Sequence, residues 1–78
     1  MMINTFWIAA NIIYDLNTGK KSDVLMLVNE ERHATYFKKE DAPHYLDFVK
    51  TRSPEIQWFI DPTNQRAGMF VIRGVQNV

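Results

Sequence analysis

Aromatic and β-branched residues dominate the stretch Thr5–Tyr14 and predict a β-strand there. Its even-numbered positions are all apolar, whereas its odd-numbered positions mix apolar residues with Asn11. Since alternate side chains of a strand point to opposite faces, we expect the even-numbered face to point at the core. The even-numbered positions are Phe6, Ile8, Ala10, Ile12 and Tyr14.

The residues after this strand predict a hairpin. An Asn-Thr-Gly sequence ending at Gly19 suits a three-residue turn closed by a left-handed glycine. Such a turn pairs Tyr14 with Ser22 and Ile8 with Val28. The turn and the hydrophobic alternation then favour the same register, because all the even-numbered apolar residues share one face.

The second strand of this hairpin, Ser22–Val28, is apolar on its other face as well. In the predicted register Leu25 and Leu27 lie opposite the odd-numbered side of the first strand, which also carries Trp7 and Ile13. The hairpin therefore presents apolar side chains on both of its faces.

One helix is predicted after a short third strand, Ala34–Phe37. Pro43 is tolerated only in a first helical turn, so the helix should begin within Lys39–Ala42. Apolar residues recur at i, i+3, i+4 and i+7, and Ser53 and Pro54 should end the helix. The apolar stripe consists of Ala42, Tyr45, Leu46, Phe48 and Val49.

Two further strands, Ile56–Ile60 and Ala67–Val75, are predicted on either side of a loop, Asp61–Arg66. The predicted class is α+β, with an antiparallel four- to five-stranded sheet and one helix packed on one face, in the order ββ(β)αββ. The whole would form a single domain, 1–78. A helix of three turns is only about 18 Å long, so it should cover much of one sheet face and none of the other.

We expect the uncovered face to bind a partner, because aromatic and aliphatic anchors usually supply interface energy. A core of this size rarely supplies more than about 3–5 kcal/mol, and the chain has no cysteine for a disulfide. We therefore expect a homodimer, binding to another protein, or both. The expected partner-binding residues are Trp7, Ile13, Leu25, Leu27, Trp58 and Phe59.

The charge pattern does not favour nucleic-acid binding. Nine basic and nine acidic residues are spread along the chain and no basic stripe is present to neutralise phosphates. A weak single-stranded nucleic-acid binder is nevertheless the alternative hypothesis, with exposed sheet aromatics as stacking platforms. Its candidate residues are Trp7, Tyr36, Trp58 and Phe70, flanked by Lys20, Lys21, Lys38 and Lys39.

Candidate chemistry is sparse. His33 and His44 are the two histidines, and although carboxylates lie near both in sequence, their spacing fits no helical metal pair. Ser22 and Ser53 occupy ordinary turn and helix-end positions, and no nucleophile elbow or phosphate-binding glycine loop is present. We expect no catalytic residue, no metal and no cofactor, and therefore no enzyme.

The N-terminal stretch lacks the basic region and small-residue cleavage pattern of a signal peptide, and no apolar run approaches a membrane span. We therefore expect a cytoplasmic protein with no membrane partner. The most favoured function is a small non-enzymatic protein-binding module, of the accessory or inhibitor type that phages encode, acting on a host protein by surface complementarity.

Overall fold

The computed structural model of this protein describes residues 3–77. Met1, Met2 and Val78, which would complete the expected domain 1–78, lie outside that range. The predicted α+β class, with an antiparallel sheet and one helix, is confirmed. The elements are β1 (Ile3–Tyr14), β2 (Lys21–Val28), β3 (Phe37–Lys38), α1 (Ala42–Arg52), β4 (Gln57–Pro62) and β5 (Met69–Asn77), with a 3-10 turn at Glu31–His33.

The last strand, β5, lies at the centre of the sheet, and every pairing is antiparallel. Along one edge β5 pairs with β4 through residues 70–75. Along its other edge it pairs with β1 through residues 73–77 and with β3 through residues 69–70. Since β1 also pairs with β2, the strands follow the order β2, β1, β5, β4, with β3 beside β5 where β1 diverges.

Helix α1 begins at Ala42, at the end of the predicted range, with Pro43 in its first turn. It ends where the backbone N–H of Ser53 donates to the carbonyl of Val49 at 2.8 Å. The indole Nε1 of Trp58 donates to the carbonyl oxygen of Ser53 at 3.0 Å, which ties the end of the helix to β4. No helix within residues 3–77 is long and apolar enough to cross a membrane.

The core lies between α1 and the sheet face that carries the even-numbered residues of β1, β4 and β5. Phe6 and Ile8 are buried there as predicted, and Ile72 of β5 is fully buried. The buried cluster comprises Phe6, Ile8, Phe37, Ala42, Val49, Trp58 and Ile72.

Gly74 is the position at which this core packs most closely. It pairs with Phe6 on β1 and with Trp58 on β4, so it lies between two aromatic residues on the same face. The two rings meet edge to face over it, with centroids 5.8 Å apart and an interplanar angle of 71°. A Cβ atom on Gly74 would lie 2.5 Å from Phe6 Cε2 and 2.7 Å from Trp58 Cζ3. Glycine therefore lets side chains of two non-adjacent strands touch across the central strand.

The hairpin loop differs from the predicted three-residue turn. It has four residues, because the backbone N–H of Asp15 donates to Lys20 O at 2.9 Å and that of Gly19 donates to Asp15 O at 2.8 Å. Gly19 does adopt the left-handed conformation, with φ of 70°. The Asp15 carboxylate also accepts the N–H of Asn17 at 2.8 Å, which stabilises the wider loop.

The extra loop residue makes the predicted register of the hairpin wrong by one. Tyr14 pairs with Lys21, and Ile8 pairs with Leu27. A one-residue shift moves every side chain of one strand to the opposite face. Leu25 and Leu27 therefore lie on the helix side of the sheet and not on the uncovered side.

The loop end of the hairpin lies outside the core, contrary to the prediction. Helix α1 packs over β4 and β5, so it does not reach the far end of β1. Within the described residues 3–77, residues 11–14 and 21–24 pair only with each other and form a two-stranded ribbon. Ile12 and Tyr14 were expected in the core, but they are 70% and 53% exposed. Asp61 and Pro62 were expected in a loop, but they belong to β4 because their partners on β5 continue the ladder.

Replacing Gly74 with Ala should lower the free energy of unfolding by about 1–3 kcal/mol, because the methyl group would overpack the ring contact. Urea denaturation followed by circular dichroism measures the loss. The same replacement in a Phe6→Leu background should cost less, since the nearest clashing atom is gone. An equal loss in both backgrounds would contradict this explanation.

Candidate functional site

The sheet face turned away from α1, here called the second face, carries one row of directly paired side chains. Phe59 on β4 pairs with Arg73 on β5, Arg73 pairs with Trp7 on β1, and Trp7 pairs with Val28 on β2. We call these four residues the cross-strand row. They follow the odd-numbered positions of the two central strands, opposite in direction to Phe6, Gly74 and Trp58. The row therefore crosses the full width of the sheet.

Arg73 is held in place by its neighbours on β4. Its guanidinium carbon lies 4.6 Å from the centroid of the Phe59 ring, which is a cation–π arrangement. Its Nε donates to Asp61 Oδ2 at 2.5 Å. About a third of each charged side chain remains exposed, 31% for Arg73 and 35% for Asp61. The guanidinium is thus fixed in orientation and still accessible.

The cross-strand row lies beside a well-packed part of the second face. Val71, two residues from Arg73 on the same face, is only 1% exposed and pairs with Asp61. Trp7 is half-buried, while Phe59 is 40% exposed. The face therefore offers two partly exposed aromatic side chains and an arginine beside a buried valine, an arrangement suited to contact with another macromolecule and not to enclosing a small ligand.

The structure divides the six residues expected to bind a partner. Trp7 and Phe59 lie together in the cross-strand row. Ile13 points to the same face but lies on the ribbon, where it is 54% exposed. Leu25 and Leu27 are on the helix side because of the shifted register.

Trp58 cannot belong to the same surface as Trp7 and Phe59. It is 8% exposed and forms part of the core, because the even-numbered positions of β4 face α1. Arg73 and Asp61 were missed by the sequence argument. Their association depends on how β4 is aligned against β5, and opposite charges twelve residues apart in the chain give no local signal of it.

The helix side is also incompletely covered. A groove with a volume of about 370 Å³ lies between α1 and β2, and its apolar lining includes Leu25, Leu27 and Phe48. Asp23 and Arg52 add charge to it. Leu27 is 56% exposed and Phe48 is 41% exposed. The helix therefore leaves the β2 side of its own face open.

The aromatic platform of the nucleic-acid alternative is not assembled. Phe70 pairs with Phe37 and packs against the helix-side core, and Trp58 is part of that core. Trp7 lies on the second face. Bases cannot stack on these residues as one continuous surface.

The two histidines lie on exposed polar surface. His33 Nδ1 is 3.5 Å from Glu30 Oε2, and Glu30 is also paired with Arg32 at 2.8 Å. His44 meets the ring of Tyr45 edge-on, with centroids 5.4 Å apart. Across residues 3–77, no cluster of three or more His, Cys, Asp and Glu side chains is arranged to hold a metal ion.

Replacing Asp61 with Ala should lower the free energy of unfolding by about 1 kcal/mol, because Arg73 then loses its partner in a partly buried site. The matched control is Glu30→Ala, which removes an ion pair with 71% and 52% exposed side chains and should cost close to nothing. Urea unfolding curves measure both. Equal losses would show that the Asp61–Arg73 pair stabilises the fold no more than the exposed Glu30–Arg32 pair does.

Comparison of the chain with models of known protein families, with curated proteins and with solved structures gives no match. The chemistry of the second face is therefore inferred from the residues on it: two aromatic rings, an arginine, and the carboxylate that orients the arginine.

Proposed function

We propose that this chain is a small non-enzymatic protein-binding module that recognises a partner protein through its second face. The observation that carries the proposal is the cross-strand row, in which Arg73 lies between Phe59 and Trp7 on adjacent strands. Tryptophan and arginine are enriched among the few residues that dominate binding energy at protein interfaces, and aromatic residues are enriched across the interface as a whole.

The fixed geometry of the row supports this role. Arg73 is already oriented by Asp61 and by the Phe59 ring, so little of its side-chain freedom would be lost on binding. The surrounding strands are rigid elements of the sheet, not loops. A partner would meet a preorganised surface on which an accessible guanidinium lies between two aromatic residues.

The proposal extends to the kind of protein this is. A short, cysteine-free chain without catalytic motifs fits an accessory or inhibitor protein of the phage type, acting in the cytoplasm on a host protein. Its partners would be that protein, a second copy of the chain, or both.

The test compares two phenylalanines that are nearly equally exposed and that each have an arginine over the ring. Phe59 is 40% exposed with Arg73 at 4.6 Å, and Phe48 on α1 is 41% exposed with Arg52 at 4.9 Å. The wild-type chain is immobilised to capture a partner from lysate of its native cells, and the partner is then purified for titration. Phe59→Ala and Trp7→Ala should each weaken its affinity at least about tenfold, whereas Phe48→Ala should leave it unchanged.

If Phe48→Ala weakens binding and Phe59→Ala does not, the partner binds the helix side and the proposal is wrong. A labelled single-stranded oligonucleotide tests the nucleic-acid alternative in the same buffer. Binding that falls steeply as salt rises would favour that alternative, because phosphate contacts release counterions.

A further inference from the structure

The outer edge of β2 carries free backbone hydrogen-bonding groups. Because Asp15 N donates to Lys20 O, alternation along the ladder turns the backbone groups of residues 22, 24, 26 and 28 towards β1. Those of residues 21, 23, 25 and 27 then point away from the sheet. The other edge of β1 agrees with this alternation, because even-numbered residues of β1 turn their backbone groups away from β2. Ile8 O accepts from Thr35 N there, and Ala10 N donates to Thr35 Oγ1. Within residues 3–77, no strand pairs with the outer edge of β2.

Charged residues of β2 are confined to its start, Lys21 and Asp23, so residues 24–28 of this edge are unprotected. Natural edge strands are usually blunted by charge, proline or a bulge. The other outer strand, β4, follows that rule with Asp61 and Pro62 at its end. By contrast, β2 presents five consecutive apolar residues, 24–28, without a charge or a proline among them.

We propose that two copies of the chain associate by antiparallel pairing of β2 with β2, about a two-fold axis at Met26. A two-fold axis perpendicular to the sheet pairs even-numbered residues with even-numbered ones and odd with odd. Each side chain therefore meets one from the same face of the sheet. Met26 then lies opposite Met26 of the second copy, Leu25 opposite Leu27, and Val24 opposite Val28. The apolar segment is self-complementary in this register.

Registers with the axis nearer the hairpin loop are less favourable. An axis at Leu25 would set the Asp23 carboxylate against Leu27, and an axis at Val24 would set it against Leu25. With the axis at Met26, Asp23 meets the polar Asn29. Lys21 of each copy also lies opposite Glu31 of the other copy, just beyond the end of β2.

The hydrogen-bonding phase suits the same register. Leu25 and Leu27 both turn their backbone groups outward, so each Leu25–Leu27 pair can exchange two hydrogen bonds. Met26 forms a non-hydrogen-bonded pair with its counterpart, in which Cα atoms are about 4.5 Å apart. The two sheets join into one, with both helices on the same side and both second faces on the other. The proposed contact includes Val28 at the end of the cross-strand row but neither Phe59 nor Arg73, so its failure would not remove the proposed function.

The first test is molar mass by light scattering and sedimentation. The wild-type chain should have twice its 9.2 kDa mass. Met26→Lys should raise the dimer dissociation constant about 100-fold or more, because it places like charges opposite each other in the interface. The matched control, Ile12→Lys, changes a 70% exposed residue on the ribbon and should leave the dimer intact.

The second test uses cysteine cross-linking, since the chain has no cysteine of its own. Met26→Cys should form a disulfide-linked dimer on mild oxidation, because a spacing of about 4.5 Å lies within the range that disulfides bridge. Val24→Cys alone should not, since two such residues are offset by about 14 Å along the strands. A mixture of Val24→Cys and Val28→Cys should cross-link, and Ile12→Cys should not.

A monomeric wild-type chain with native circular dichroism would overturn the proposal, as would equal cross-linking of Ile12→Cys and Met26→Cys. Failure of this proposal is distinguishable from failure of the proposed function. Phe59→Ala should keep the dimeric mass. Met26→Lys should keep the affinity for the partner protein that Phe59→Ala lowers at least about tenfold.

Discussion

The contact of Phe6 and Trp58 over Gly74 is the constraint on which the rest of the structure depends. It joins β1 to β4 across β5, and the Trp58 indole extends the connection to the end of α1 through Ser53. The helix is therefore held over β4 and β5. Its position there leaves the hairpin side of the sheet uncovered, which accounts for the groove, the exposed ribbon and the free edge of β2.

Much of this architecture follows from local patterns in the sequence. The helix is fixed by Pro43 and its apolar stripe, and the strands by runs of β-branched and aromatic residues. The hairpin register does not follow in the same way. Whether the loop takes three or four residues depends on the Asp15 side chain and two backbone bonds, and this small difference decides which face Leu25 and Leu27 occupy.

The candidate site is only partly predictable for a similar reason. Trp7 and Phe59 could be assigned to a surface from alternation and size, but Trp58 could not be separated from Phe59 without knowing which side of β4 meets the helix. The position of Arg73 between them is a property of three aligned strands. Alignment between strands distant in sequence is set by tertiary packing, and a single sequence carries little direct trace of it.

The central place of β5 has a consequence for synthesis of the chain. Because β1, β3 and β4 are all joined through β5, a growing chain that has not yet reached β5 cannot assemble the sheet. Until then the β1–β2 hairpin and α1 emerge from the ribosome as unconnected pieces with apolar surfaces. Pairing of the first strand with the last is a contact of high sequence separation, which slows folding and lengthens exposure of those surfaces. The apolar surfaces of the hairpin and of α1 therefore stay exposed until β5 is available to pair.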